Sequence, residues 1–145
     1  MGISIMRQVA LITGSSSGIG YETSLALARS GFCTYAGVRN MKNSDILEKK
    51  IAKEKLDLNI LQLDVNDKSS IDNAINRIKT EEKRIDVLIN NAGYGLVGFF
   101  EELGLDEIRK QFETNFFGVL NVTKKVIPIM REQNSGTIIN LSSGA

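Results

Sequence analysis

Five short apolar runs recur along the chain, each followed by a segment of helical periodicity or by the chain end, with almost no long loop between them. The first, Val9 to Thr13, is apolar at Val9, Ala10, Leu11 and Ile12 and runs into a glycine. A strand with one wet face alternates polar and apolar positions, whereas a run that is apolar throughout is buried on both faces. Cys33 to Val38, Leu58 to Leu63, Ile85 to Ile89 and Thr137 to Leu141 are the other strand candidates. Between them the spacing predicts a helix from about Gly18 to Ser30, with Gly31 closing its C-terminal end. A second spans Asn43 to Lys55 through Ile46, Leu47 and Ile51. A third is capped by Asp67 and carries Ile71, Ala74, Ile75 and Ile78 at i, i+3, i+4 and i+7. The fourth runs from about Asp106 to Arg131, with Ile108, Phe112, Phe116, Val119 and Leu120 on its apolar side and Pro128 in its last turns. Strands and helices in strict alternation build a parallel sheet covered by helices on both faces, an α/β architecture. Neither a linker nor a repeat interrupts the pattern, so residues 1–145 read as one domain.

Composition removes several chemistries. Histidine is absent and Cys33 is the single cysteine, which excludes histidine-based triads, the usual zinc ligand sets and an internal disulfide. Eighteen basic residues against seventeen acidic ones leave a charge of +1, so no nucleic-acid-binding field is expected. No stretch approaches the ~18 consecutive apolar residues of a membrane span, and the N-terminus lacks a signal-peptide run. Met6, directly before the first strand, is an alternative start. A soluble, cytoplasmic protein without a metal or a membrane partner is the expectation, and one apolar-flanked cysteine suits a reducing compartment.

The turn from the first strand to the first helix reads Thr13-Gly14-Ser15-Ser16-Ser17-Gly18-Ile19-Gly20. A phosphate-binding turn needs glycines on three counts: Gly14 for the tight bend, Gly18 for backbone approach to a pyrophosphate, and Gly20 for close packing of helix on strand. Free N–H groups and the positive end of the helix dipole then face the phosphates. A generic tight turn is the competing reading. A P-loop is disfavoured, because Tyr21 and Glu22, not a lysine, follow the last glycine.

The pattern T-G-x-x-x-G-I-G resembles the short-chain dehydrogenase/reductase family, and four further motifs in the family's order extend the resemblance over nearly the whole chain. Leu63-Asp64-Val65 ends the third strand, Asn90-Asn91-Ala92-Gly93 follows the fourth, and Asn115 lies within the long helix. Ile138 to Ser143 resembles the strand that ends at the family's catalytic serine. The resemblance implies a Rossmann-type doubly wound sheet and a hydride transfer between a nicotinamide cofactor and a small-molecule carbonyl or alcohol. It implies that Gly14, Ser16, Ser17, Gly18, Ile19 and Gly20 cradle the cofactor and that Asp64 and Val65 meet the adenine. At the same cofactor site, Asn91 would hold the fourth strand to the loops beside it, and Ala92 and Gly93 would let the cofactor ribose lie close. Ser143, with Ser142 as the neighbouring alternative, would hydrogen-bond the substrate oxygen, and Asn115 would help hold a water that relays protons to the family's catalytic lysine. Family members are commonly dimers or tetramers built partly on that long helix, which implies a homo-oligomer.

Cofactor choice rests on Arg39, just after the second strand. A carboxylate near this point favours NAD, and an arginine accommodates the 2′-phosphate of NADP. A guanidinium grips phosphate through paired hydrogen bonds, and Ser16 and Ser17 add hydroxyl donors, so NADP(H) is expected over NAD(H). A solvated arginine at a loop start is the alternative. Arg39 also disfavours a methyltransferase with a similar sheet, which needs an acidic residue there to hold ribose hydroxyls.

The family's proton donor is a tyrosine in a Tyr-x-x-x-Lys motif on the helix after the catalytic serine. Tyr21 is followed four residues on by Leu25, Tyr35 by Arg39 and Tyr94 by Gly98, so none fits. The expectation is a chain cut short before that motif, inactive in hydride transfer as residues 1–145 alone. A nucleotide-binding regulatory protein that kept the fold without the chemistry is the other functional class. Tyr94, Leu96, Val97 and Phe99 are plausible edges of a substrate pocket.

Overall fold

The computed structural model describes residues 7–143, so Met6 lies outside the described residues. Its elements are β1 (Val9–Thr13), α1 (Gly18–Arg29), β2 (Cys33–Val38), α2 (Asp45–Glu54), β3 (Leu58–Gln62), α3 (Lys68–Glu82), β4 (Val87–Asn90), α4 (Leu105–Phe112), α5 (Gly118–Glu132) and β5 (Thr137–Asn140). The five strands form one parallel sheet in the order β3-β2-β1-β4-β5. The chain builds outward from β1 through β2 to β3, then returns across β1 to lay down β4. The order therefore reverses between β1 and β4, and a parallel sheet opens a crevice beyond its carboxyl ends at such a point.

Every residue of β1 and β2 is buried, as their apolar runs require. Val9 and Leu11 pack with Tyr35, Ile78, Leu88, Val122 and Val126 under α3 and α5. Ala10 and Ile12 face the other way, against Ile89 and Leu27 of α1. Alternation at period 2 thus divides one uninterrupted apolar strand between two cores.

The helices differ from expectation in detail. Asp67 does cap α3, its side chain accepting from the Ser69 N–H at 2.9 Å. The second helix begins at Asp45, after a short 3₁₀ turn at Met41–Asn43. The long helix expected from about Asp106 to Arg131 is interrupted, because Glu113–Phe117 form a π turn that joins α4 to α5. A π turn inserts a residue into the helical ladder and is frequent at functional positions. No helix among the described residues is long and apolar enough to cross a membrane.

The end of the sheet away from the crevice carries a polar network. Asp86, buried, accepts from the Val9 N–H at 2.7 Å and binds Arg84 through Nε at 2.8 Å and Nη2 at 2.6 Å. Burial opposes its ionisation, but the two donors and the guanidinium charge outweigh that and hold the carboxyl below its usual range. Nearby, the Tyr35 hydroxyl donates to Glu81 at 2.7 Å and lies 3.1 Å from a Glu82 carboxylate oxygen, while Arg7 pairs with Asp57 and Glu82.

Candidate functional site

The glycine-rich turn lies at the carboxyl end of β1, facing the crevice. Gly14 adopts φ +71° and Gly18 φ +59°, left-handed values that glycine reaches without strain. No atom stands within 4 Å of where a Cβ on Gly18 would be, so the loop is open to a ligand there. Gly20 is the reverse, because a Cβ on it would fall 2.3 Å from Asn91 Nδ2 and 2.3 Å from Gly14 O. The bend at Gly14 and the close packing at Gly20 are the backbone features expected of this turn.

Asn91 fastens this turn to the end of β4. Its Nδ2 donates to the carbonyls of Thr13 and Gly14, each at 2.9 Å, so both buried acceptors at the bend are satisfied by one amide. Thr13 completes the latch by accepting from the N–H groups of Asn91 and Ala92 on its hydroxyl, each at 3.0 Å. Sequence reasoning passed over Thr13, although its place at the strand end, opposite Asn-Asn-Ala-Gly, was a usable signal. Ser15 and Ser24 were missed as well. Both are buried, the Ser24 hydroxyl donating to Gly20 O at 2.8 Å and lying 3.0 Å from Ser15 Oγ, while the Ser15 N–H donates to Gly37 O at 2.9 Å.

These bonds leave the front of the loop unused. Ser17 stands at the N-terminal end of α1 without a side-chain capping bond, and the first turn holds no acidic residue. Orphan N–H groups and the helix dipole there favour an anion. Ile19 is 67% exposed beside them. Arg39 leaves the end of β2, which the Ser15–Gly37 bond ties to the loop. It is exposed, and among the described residues it forms no ion pair.

Asp64 and Val65 follow β3. Asp64 Oδ1 accepts from the Asn66 N–H at 2.9 Å, and the Asp64 N–H donates to Ser70 Oγ at 2.9 Å, leaving Oδ2 without a protein partner among the described residues. The Val65 side chain belongs to the core, so only its backbone is available to a ligand. Asn115 lies in the π turn, where its Oδ1 accepts from the Tyr94 N–H at 3.0 Å and its Nδ2 donates to Tyr94 O at 2.8 Å. A peptide-like double bond thus braces the loop that follows Gly93, and its cause, a partner 21 residues away, could not be read from helical periodicity. At the far end of the crevice, Asn90 donates to Asn140 Oδ1 at 2.8 Å and to Thr123 Oγ1 at 3.0 Å, fixing the last residue of β5. Ser142 and Ser143 follow, exposed, beyond the same edge as Gly93. No group of metal-binding side chains is assembled among the described residues.

An open parallel sheet with a glycine loop and a helix N-terminus at its switch point is the arrangement of a Rossmann-type nucleotide-binding fold. The chain belongs to the short chain dehydrogenase family, whose model matches residues 8–145. It is 41% identical over 136 residues to a 3-ketodihydrosphingosine reductase of Bacteroides thetaiotaomicron, covering 94% of this chain and 47% of that protein. A short-chain dehydrogenase from Streptomyces avermitilis superposes with a TM-score of 0.88 at 36% identity, over 97% of this chain and 50% of the other. A gluconate 5-dehydrogenase from Burkholderia cenocepacia, solved with NADP and tartrate, superposes with a TM-score of 0.85 at 29% identity, over 94% and 53%. The chain spans about half the length of the curated relatives it matches.

Proposed function

We propose that this chain is the cofactor-holding part of an NADP-preferring oxidoreductase that moves a hydride between the nicotinamide and a small-molecule carbonyl or alcohol. The carrying observation is Arg39, a guanidinium without an ion pair among the described residues, at the end of β2, which is tied through Gly37 to the glycine loop. With Ser16 and Ser17 it supplies a charged, forked set of donors for a 2′-phosphate. The loop from Gly14 to Gly20, with Ile19 exposed, receives the pyrophosphate, Asp64 Oδ2 and the Val65 backbone meet the adenine, and Asn91, Ala92 and Gly93 border the ribose. When bound, the nicotinamide supplies hydride exchange at its C4.

Ser143 holds the substrate oxygen by hydrogen bonding, and Asn115 shapes the site through the Tyr94 loop and the backbone of its π turn. The relative named as a ketone reductase, and the one solved with NADP, support the carbonyl and cofactor halves of this reading. Phe112, Phe116 and Leu120 lie exposed along α4, the π turn and α5, which supports a homo-oligomer for the whole protein. The buried, free thiol of Cys33 suits a reducing, cytoplasmic setting.

Titration with NADPH and NADH tests the reading. NADPH is expected to bind more tightly, and Arg39→Ala is expected to weaken NADPH roughly 10- to 100-fold, the worth of charge-assisted phosphate bonds, with NADH little changed. Tighter binding of NADH by the unaltered protein overturns the NADP assignment.

A further inference from the structure

Two contacts join the turn after β3 to the π turn and the first residue of α5, and neither belongs to the sheet. Asn66 Nδ2 donates to Thr114 Oγ1 at 2.9 Å, across 48 residues of sequence. The Asn66 backbone is itself held by the Asp64 carboxylate, which accepts its N–H at 2.9 Å. Beneath them Val65 packs so tightly on Gly118 that a Cβ there would lie 2.6 Å from Val65 Cγ2. Thr114 directly precedes Asn115, whose amide holds both backbone groups of Tyr94. Gln111 adds a third bond, from Nε2 to Tyr94 O at 3.2 Å.

We infer that the Asn66–Thr114 bond is a joint through which the Asp64 turn sets the position of Asn115 and the Tyr94 loop. The inference rests on the reading of Asp64 as the adenine contact. A ligand that orders the Asp64–Asn66 turn orders the π turn with it, because Val65 on Gly118 and Asn66 on Thr114 grip that turn at two points. The π turn in turn orders Tyr94, since Asn115 grips the loop by its backbone. Asn66 and Thr114 are positioning residues, touching neither substrate nor cofactor. Binding of the adenosine half thereby readies the opposite wall of the crevice before the nicotinamide half is engaged. Coupling of this kind is a difference in local ordering, and amide exchange reads it directly.

The test follows exchange of the Tyr94 amide in the whole protein, with adenosine 2′,5′-bisphosphate as a probe that lacks the nicotinamide. In the unaltered protein the probe is expected to slow Tyr94 exchange roughly fivefold, about one hydrogen bond's worth. Asn66→Ala and Thr114→Val are expected to bind the probe and lose that slowing, while Thr114→Ser, which keeps the hydroxyl, retains it. Unchanged exchange at Leu11 in the central strand shows that each variant is folded. Equal slowing in all four proteins, or bound probe with no slowing in the unaltered one, overturns the joint. Failure of the probe to bind overturns the nucleotide reading instead, and the ligand-free proteins then decide. Faster Tyr94 exchange in Asn66→Ala and Thr114→Val than in Thr114→Ser upholds the joint, and equal rates overturn it.

Discussion

Gly20→Ala is expected to abolish nucleotide binding and to lower stability by about 3 kcal/mol, the combined scale of overpacking and a broken buried hydrogen bond. The methyl group would enter a space already held by Asn91 Nδ2 and Gly14 O, each 2.3 Å from its position. Neither neighbour has room to yield. Gly14 is itself confined, since a Cβ on it would lie 2.8 Å from Ala92 Cα, and Asn91 cannot swing away without orphaning the carbonyls of Thr13 and Gly14. Relief therefore requires the glycine loop and the end of β4 to part, which dismantles the wall of the crevice. Gly18→Ala is the contrasting variant. Nothing lies near its Cβ position, so the cost is the left-handed backbone alone, about 1 kcal/mol. Urea unfolding and an NADPH titration measure both. Unaltered binding by Gly20→Ala would contradict the close packing described for this turn.

The second large effect is expected far from the crevice. Asp86→Ala removes the acceptor of the Val9 N–H and the partner of Arg84 together, at a side chain only 5% exposed. Loss of the buried carboxylate orphans the Val9 N–H and removes two charge-assisted bonds, and about 3 kcal/mol is the expected loss. The pH dependence carries a sign. The folded carboxyl titrates below the ~3.9 of an unfolded chain. Its stabilisation is thus complete above that value and is lost as pH falls through the lower, folded one. The gap in unfolding free energy between the unaltered protein and Asp86→Asn should be widest near neutrality and close in acid. A gap that grows on acidification would refute the assignment.

Local pattern made the sheet, its helices and the ligand-facing loop readable in advance, because each depends on neighbours in sequence. Val9 to Ile12 could only be a doubly buried strand, and Gly14, Gly18 and Gly20 announced the bend that the structure shows. Contacts made across long stretches of chain stayed hidden. The π turn at Glu113–Phe117 has the apolar spacing of an ordinary helix, and the Asn115–Tyr94 pairing is a tertiary contact. Asp86 and Asn66 escaped for the same reason, since each acts on a backbone or side chain dozens of residues distant. Roles such as substrate binding by Ser143 came from resemblance alone, as a serine past a strand end carries no local mark of chemistry.

The lone thiol of Cys33 has a practical use. It is wholly buried in β2, beside β1, and burial first, with Glu82 beside it, pushes its pKa up to about 12. Reagents attack the thiolate, so at neutral pH the native state offers them almost nothing. Alkylation must then wait until β2 opens, and the labelling rate becomes a clock for unfolding of the central sheet, with no engineered probe required. Since residues 1–145 carry one such thiol, a single added mass on the peptide that holds Cys33 marks each opening that is trapped.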